Sequence, residues 1–441
     1  MSSIPQACGD WAATKAAYRL MSNPEVTPAK LLAPHVENLL ARAREHNMVL
    51  AIGDMTKLDF SKRREMEGLG PLGGSNRGMA GLGLCVQATV VATPDGKPLG
   101  VADLDVWARK KEDFGNAVQR CKGKRIEDKE SAKWLHSLGV ARKLKHRLDD
   151  EVQVVVVFDR EGDIYSVFHE ARSFGVDFVV RALHNRKIDE DADSDLLWTK
   201  VATKPLGTKR LEVKRAKKRA SRVATLQIFA SEVTIKTPPK RPKGETRTGD
   251  IKLYAVMAKE ILPEGGPAIR GKPLEWKILT SLPVSTKEDA ERVLDLYAAR
   301  WTIEEFFRIL KSGCGVEEHQ FAKVDRFLNC LPMDAVVPWS VLFLMSEGRE
   351  SQDLPCTVLF PAHYWQAAWI YIHQDPDPPD KPPTLGEMVR MVGRLGGHLG
   401  RKGDGHPGQE TLWRGLQRVI DLAEMWLVLR AHQSPPRAGA N

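Results

Sequence analysis

Between Val152 and Phe158 the chain reads VQVVVVF, five valines in seven positions. A run that is apolar at nearly every position is the pattern of a strand buried on both faces, so it predicts an α/β fold with helices covering the sheet. The run ends in Asp-Arg-Glu-Gly-Asp. Asp159 therefore falls at the carboxyl end of the strand, where open α/β sheets place their functional groups. A strand-end aspartate is often only a helix cap, and alone it carries little weight. A second acid, Asp54, closes another apolar run, MVLAIGD (Met48–Asp54).

The rest of the chain divides by character. Residues 1–45 read as helices broken at Asn23-Pro24. Leu82–Val91 and Leu99–Val106 read as a hairpin turning at Thr93-Pro94-Asp95-Gly96. A helix is expected around Glu130–Leu148, a second over Ile164–Phe174, and a strand over Asp177–Leu183. Roughly residues 185–280 look like inserted short strands at 224–229, 233–236, 251–257 and 276–279. Lys204–Thr248 holds 14 Lys or Arg against 3 Asp or Glu. Charge so concentrated is expected to follow a phosphate backbone rather than merely stay solvated. Ser285-x-x-Glu288 reads as a capping box opening the next helix. An apolar helical segment (Phe327–Met345, with Pro338 inside), a Pro-rich linker (His373–Pro383) and a final helical module ending near His432 complete the chain.

Composition sets bounds. With 441 residues the chain can hold two or three domains, and a net charge of +9 favours a polyanionic partner. The six cysteines form no C-x-x-C pair, so a zinc site is not expected and a reducing compartment is. No signal peptide, internal repeat or apolar stretch approaching a membrane span is evident.

Residues 297–311 (YAARWTIEEFFRILK) carry the most specific pattern, Y-x2-R-x3-E-x6-K. On one continuous helix, Tyr297, Arg300, Glu304, Arg308 and Lys311 would share an arc of roughly 80°. A carboxylate among cations suits holding a divalent metal against phosphate, and an ordinary salt-bridged helix face is the alternative. A possible cap at Thr302-x-x-Glu305 would break that stripe. The spacing resembles the signature of bacterial insertion-sequence DDE transposases, the group that includes the transposase of transposon five. Asp54, the Asp159 motif and the segment Leu395–Gly415 extend the resemblance through nearly the whole chain.

That resemblance implies an RNase H-like core (46–184 and 281–320), interrupted by an antiparallel β insertion (185–280). Helical regions flank it: a partial DNA-binding region (1–45) and a dimerisation region (321–441). It implies that Asp54, Asp159 and Glu304 are catalytic and hold two Mg2+ or Mn2+ ions. It further implies phosphate contacts by Tyr297, Arg300, Lys311, Arg181 and Arg186, a base-stacking Trp276, and Trp301 beside the arginine. The implied activity is cut-and-paste transposition by a bacterial cytoplasmic, nucleoid-associated homodimer acting on double-stranded transposon ends and target DNA. Two departures stand out: Met55 where the family commonly has threonine, and a shortened amino terminus. The latter leaves open a non-catalytic inhibitor of a full-length enzyme. A generic metal nuclease is the other alternative.

Overall fold

The computed structural model describes residues 4–62, 65–73, 81–110, 124–188, 196–213, 222–238, 249–262 and 273–433. They form two compact units: a core unit of residues 24–304 with 320–332, and a helical unit of 1–23, 305–319 and 333–441.

A mixed sheet of ten strands among the described residues organises the core unit. β1 (Met48–Asp59) pairs antiparallel with β3 (Leu82–Ala92) and parallel with β5 (Gln153–Phe158); the short β2 (Gly70–Pro71) and β4 (Pro98–Trp107) both pair with β3. β6 (Asp177–Arg181) lies parallel to β5 on its other side. The insertion then continues the same sheet. β10 (Glu275–Thr280) pairs antiparallel with β6, followed outward by β9 (Ile251–Glu260), β8 (Arg222–Ile235) and β7 (Pro205–Val213). β5 is central because its valines can be buried on both faces: Val154 to Phe158 are all at or below 2% exposure. One face packs against Trp134, Leu138 and Ala141 of the helix Ala132–Arg147 and Val167 and Phe168 of the helix Tyr165–Ser173. This helix-flanked mixed sheet is the RNase H-like arrangement with its antiparallel insertion.

Several expectations are corrected. The apolar run does close on Asp54, where burial becomes partial, while β1 itself runs five residues further, because its pairing with β3 continues to Asp59↔Gly83. The expected strands 224–229 and 233–236 are one strand, carried through Ala230–Glu232 by pairing with Tyr254–Val256 of β9. The capping box before Tyr297 is Thr286 with Asp289, one residue later than expected. Part of the basic stretch, residues 214–221 and 239–248, lies outside the described residues.

In the helical unit, the helices Leu385–Leu395 and Gln409–Gln433 meet where Gly396 and Gly415 bring their backbones together. A Cβ on either glycine would fall 1.8 Å from a carbonyl oxygen of the other segment, Thr411 O or Val392 O. That contact accounts for the glycines bounding Leu395–Gly415. The helix Val324–Glu350 passes through Pro338 unbroken. By length and composition it could cross a membrane, contrary to expectation, but 56% of its apolar window is buried within the protein, as in a core helix.

Candidate active site

The parallel register of β1 and β5 ends at Ile52↔Val157, and two residues further along each strand come Asp54 and Asp159. Adjacent strands lie about 4.8 Å apart, so the two carboxylates are neighbours by construction. Gly53 makes room for this approach: a Cβ there would lie 2.7 Å from the Phe158 ring.

The third acid arrives through a break in the helix. Lys287–Ala298 ends after Tyr297, Arg300 occupies the turn, and Trp301–Arg308 carries Glu304 in its first turn. The single-stripe picture is thereby corrected, since Tyr297 and Glu304 belong to different helices. What joins the site is the Arg300 guanidinium. Its Nη1 donates to Asp54 Oδ2 at 3.1 Å and its Nη2 to Glu304 Oε1. The turn is held in place by Thr302 Oγ1, which donates to Gly96 O at 2.8 Å in the tip of the β3–β4 hairpin. Asp159 accepts from Glu161 N at 2.8 Å, so the helix-cap role is realised as well.

Electrostatics follow from the crowding. Burial pushes the Asp54 carboxyl up to about 6, with Asp159 and Glu304 adding to the rise against the pull of Arg300 and the Met55 amide. Asp159 is raised too, again chiefly by burial. Asp54 therefore feels both of the other acids.

The remaining candidates are placed as follows. Trp276 on β10 is half-buried, its ring edge-on to Tyr297 with centroids 5.8 Å apart. Tyr297 is 5% exposed and lies beneath Arg300. Arg181 sits on β6 opposite Ile278, its Nη2 donating to Glu275 O at 3.3 Å. Arg186 is committed to Asp163, with Nη1 2.7 Å from Oδ1, while Asp163 Oδ2 accepts from the Leu183 and His184 amides. Trp301 is half exposed. Lys311 belongs to the helical unit, in a π-helical turn Ile309–Gly313, with its Nζ 4.0 Å from Glu317 Oε1.

Sequence reasoning missed Asp163, the last residue of the Asp-Arg-Glu-Gly-Asp motif, which anchors the loop after β6. It also missed Lys133, whose buried ammonium lies 2.8 Å from Glu161 Oε2 and 3.5 Å from Met55 Sδ. No spacing marks Lys133; only the fold brings it beside the acids.

Three family models match successive parts of this chain: Transposase DNA-binding over residues 1–26, Transposase DDE domain over 135–329, and Transposase Tn5 dimerisation domain over 336–433. The chain belongs to the Tn5-like DDE transposases. The DDE match spans Asp159 and Glu304, whereas Asp54 lies before it. It thus carries the DNA-binding, DDE and dimerisation domains of a transposase of this family.

Burial of this acid cluster has a consequence for stability. The folded state holds the Asp54 proton up to about pH 6, whereas the unfolded chain releases it near 3.8. This contribution is full below the unfolded value and disappears as pH rises through 6. With EDTA present, Asp54→Asn should match the wild-type stability near pH 4 and exceed it at pH 7 by on the order of 2–3 kcal/mol, seen as a higher melting temperature. Melting curves at both pH values check this, and an Asn variant less stable at pH 7 would count against the buried-charge account.

Proposed function

We propose that this transposase moves DNA by a cut-and-paste route: nicking at the transposon end, hairpin formation, hairpin opening and strand transfer into target DNA. The observation that carries the reading is the convergence of Asp54 and Asp159, from the adjacent interior strands β1 and β5, with Glu304 around Arg300. The donor set fits the metal chemistry. Three carboxylates and no sulfur or imidazole form a hard, all-oxygen site suited to Mg2+ or Mn2+. The Asp54 carboxyl is raised chiefly by burial, and a dication beside it would favour the ionised form that binds metal. Two ions so held would activate a water or DNA 3′-hydroxyl and stabilise the departing oxygen of an in-line displacement.

The chain's own residues supply the rest. Arg300 sits between two of the acids and offers its guanidinium to the phosphate being cut. Tyr297, buried beneath it, supports Arg300 and needs no nucleophilic role, since hydroxyl attack leaves no protein–DNA bond. Trp276 offers an aromatic face to a base leaving the stack when the end is bent into a hairpin. Arg181, Arg186 and Lys311 are the remaining phosphate contacts in this reading. The acting species is a homodimer holding two transposon ends, in the bacterial cytoplasm and at the nucleoid.

A duplex pre-nicked at a transposon end tests the reading. With Mg2+ the protein should convert it to a hairpin, visible as a doubled-length strand on a denaturing gel, and EDTA should prevent this. Cleavage of both strands without any hairpin would leave only a generic metal nuclease.

A further inference from the structure

Lys133 is costly where it stands. Its side chain is only 5% exposed, and it lies in the first turn of the helix Ala132–Arg147, at the positive end of the helix dipole. Burying an ammonium there opposes both solvation and the dipole, so a requirement other than stability is the better explanation. Its contacts indicate what that is. Nζ donates to Glu161 Oε2, two residues after Asp159, and lies against the sulfur of Met55, the residue after Asp54. The stem passes the Trp134 ring, with Nζ 5.2 Å from its centroid, which fixes where the ammonium can go. Glu161 also gives its backbone amide to Asp159 Oδ1, so the loop carrying Asp159 is tied at two points.

Glu161 is a long, flexible acid whose side chain is 60% exposed and which neighbours the triad. Unrestrained, it would be within two residues of Asp159 and free to turn its carboxylate among the three acids. We propose that Lys133 is a positioning residue that holds Glu161 out of the metal site and keeps the ligand set at Asp54, Asp159 and Glu304. The Met55 thioether accommodates the ammonium without competing for Glu161, which gives that departure from the family's threonine a physical role. The proposal rests on the reading that the triad holds the metals.

Mn2+ binding to the full chain, followed by calorimetry and by electron paramagnetic resonance, tests it alongside hairpin formation. Lys133→Met preserves the stem and releases Glu161. In that background Glu161→Gln should weaken Mn2+ binding by about tenfold, whereas in the wild type it should change binding less than about twofold. Lys133→Met should also slow hairpin formation about tenfold or more, and Lys133→Arg should largely restore it. Equal effects of Glu161→Gln in both backgrounds would overturn the proposal. Should Lys133→Met fail to fold, Glu161→Gln alone decides. Unchanged Mn2+ affinity supports a carboxylate held aside, and a tenfold loss shows that Glu161 is itself a ligand. Asp159→Asn separates the two levels of argument: if it binds Mn2+ like the wild type, the metal reading itself fails, independently of Lys133.

Discussion

Alanine at Asp54, Asp159 or Glu304 is expected to abolish cleavage of a pre-nicked end while leaving DNA binding close to wild type. Cleaving a phosphodiester in line requires charge to be neutralised on the entering and leaving oxygens together, and metal ions supply several kcal/mol of that. At about 1.4 kcal/mol per factor of ten, losing one ligand of a three-acid site should cost three orders of magnitude or more. DNA affinity comes instead from many Lys and Arg contacts to phosphate and depends on salt, so a single acid hardly changes it. The Glu304 variant is the most informative. Its loss leaves Arg300 paired with Asp54 and Asp159 capped by the Glu161 amide, so the guanidinium and both strand acids keep a partner. Substantial cleavage by Glu304→Ala with Mg2+, measured on denaturing gels beside a binding assay, would remove the core of the mechanism.

How far the sequence discloses this site depends on the range of the forces involved. β5 and Asp159 are legible because burial on both faces writes itself into composition, and the strand's end follows from where the valines stop. Asp54 is found for the same reason, although the apolar run ends where side-chain burial becomes partial and not where β1 ends. The helix break before Glu304 is marked in the sequence only by the Thr302-x-x-Glu305 pattern. Ala298, Ala299 and Arg300 are good helix formers, and neither glycine nor proline marks the turn. It is instead pinned by the bond from Thr302 to Gly96, 206 positions earlier. The fusion of two expected strands into β8 has a similar origin, since the polar Ser231-Glu232 reads as a turn until β9 lies beside it. Lys133 is hidden because its partners come from two other segments, each meaningless to it in one dimension.

Trp276→Ala should separate the first nick from hairpin formation. The nick acts on stacked duplex, whereas closing the hairpin bends the strand so sharply that a base must leave the stack. An aromatic face that receives that base is worth about 1–3 kcal/mol, so the variant should form hairpins some 5- to 150-fold more slowly and still nick normally. The ring's setting suits this. Trp276 is half-buried, its ring meets Tyr297 beside Arg300, and Arg181 sits on the neighbouring strand two register positions away. The competing role is packing at the end of β10. Packing would be lost at every step alike, lowering the melting temperature and slowing nick and hairpin together. Trp276→Phe distinguishes the two, since it keeps a stacking face while removing volume, and should recover most of the hairpin rate. A Phe variant as defective as Ala, or an Ala variant with collapsed circular dichroism, would make Trp276 a structural residue and leave the flipped base without a receiver at this position.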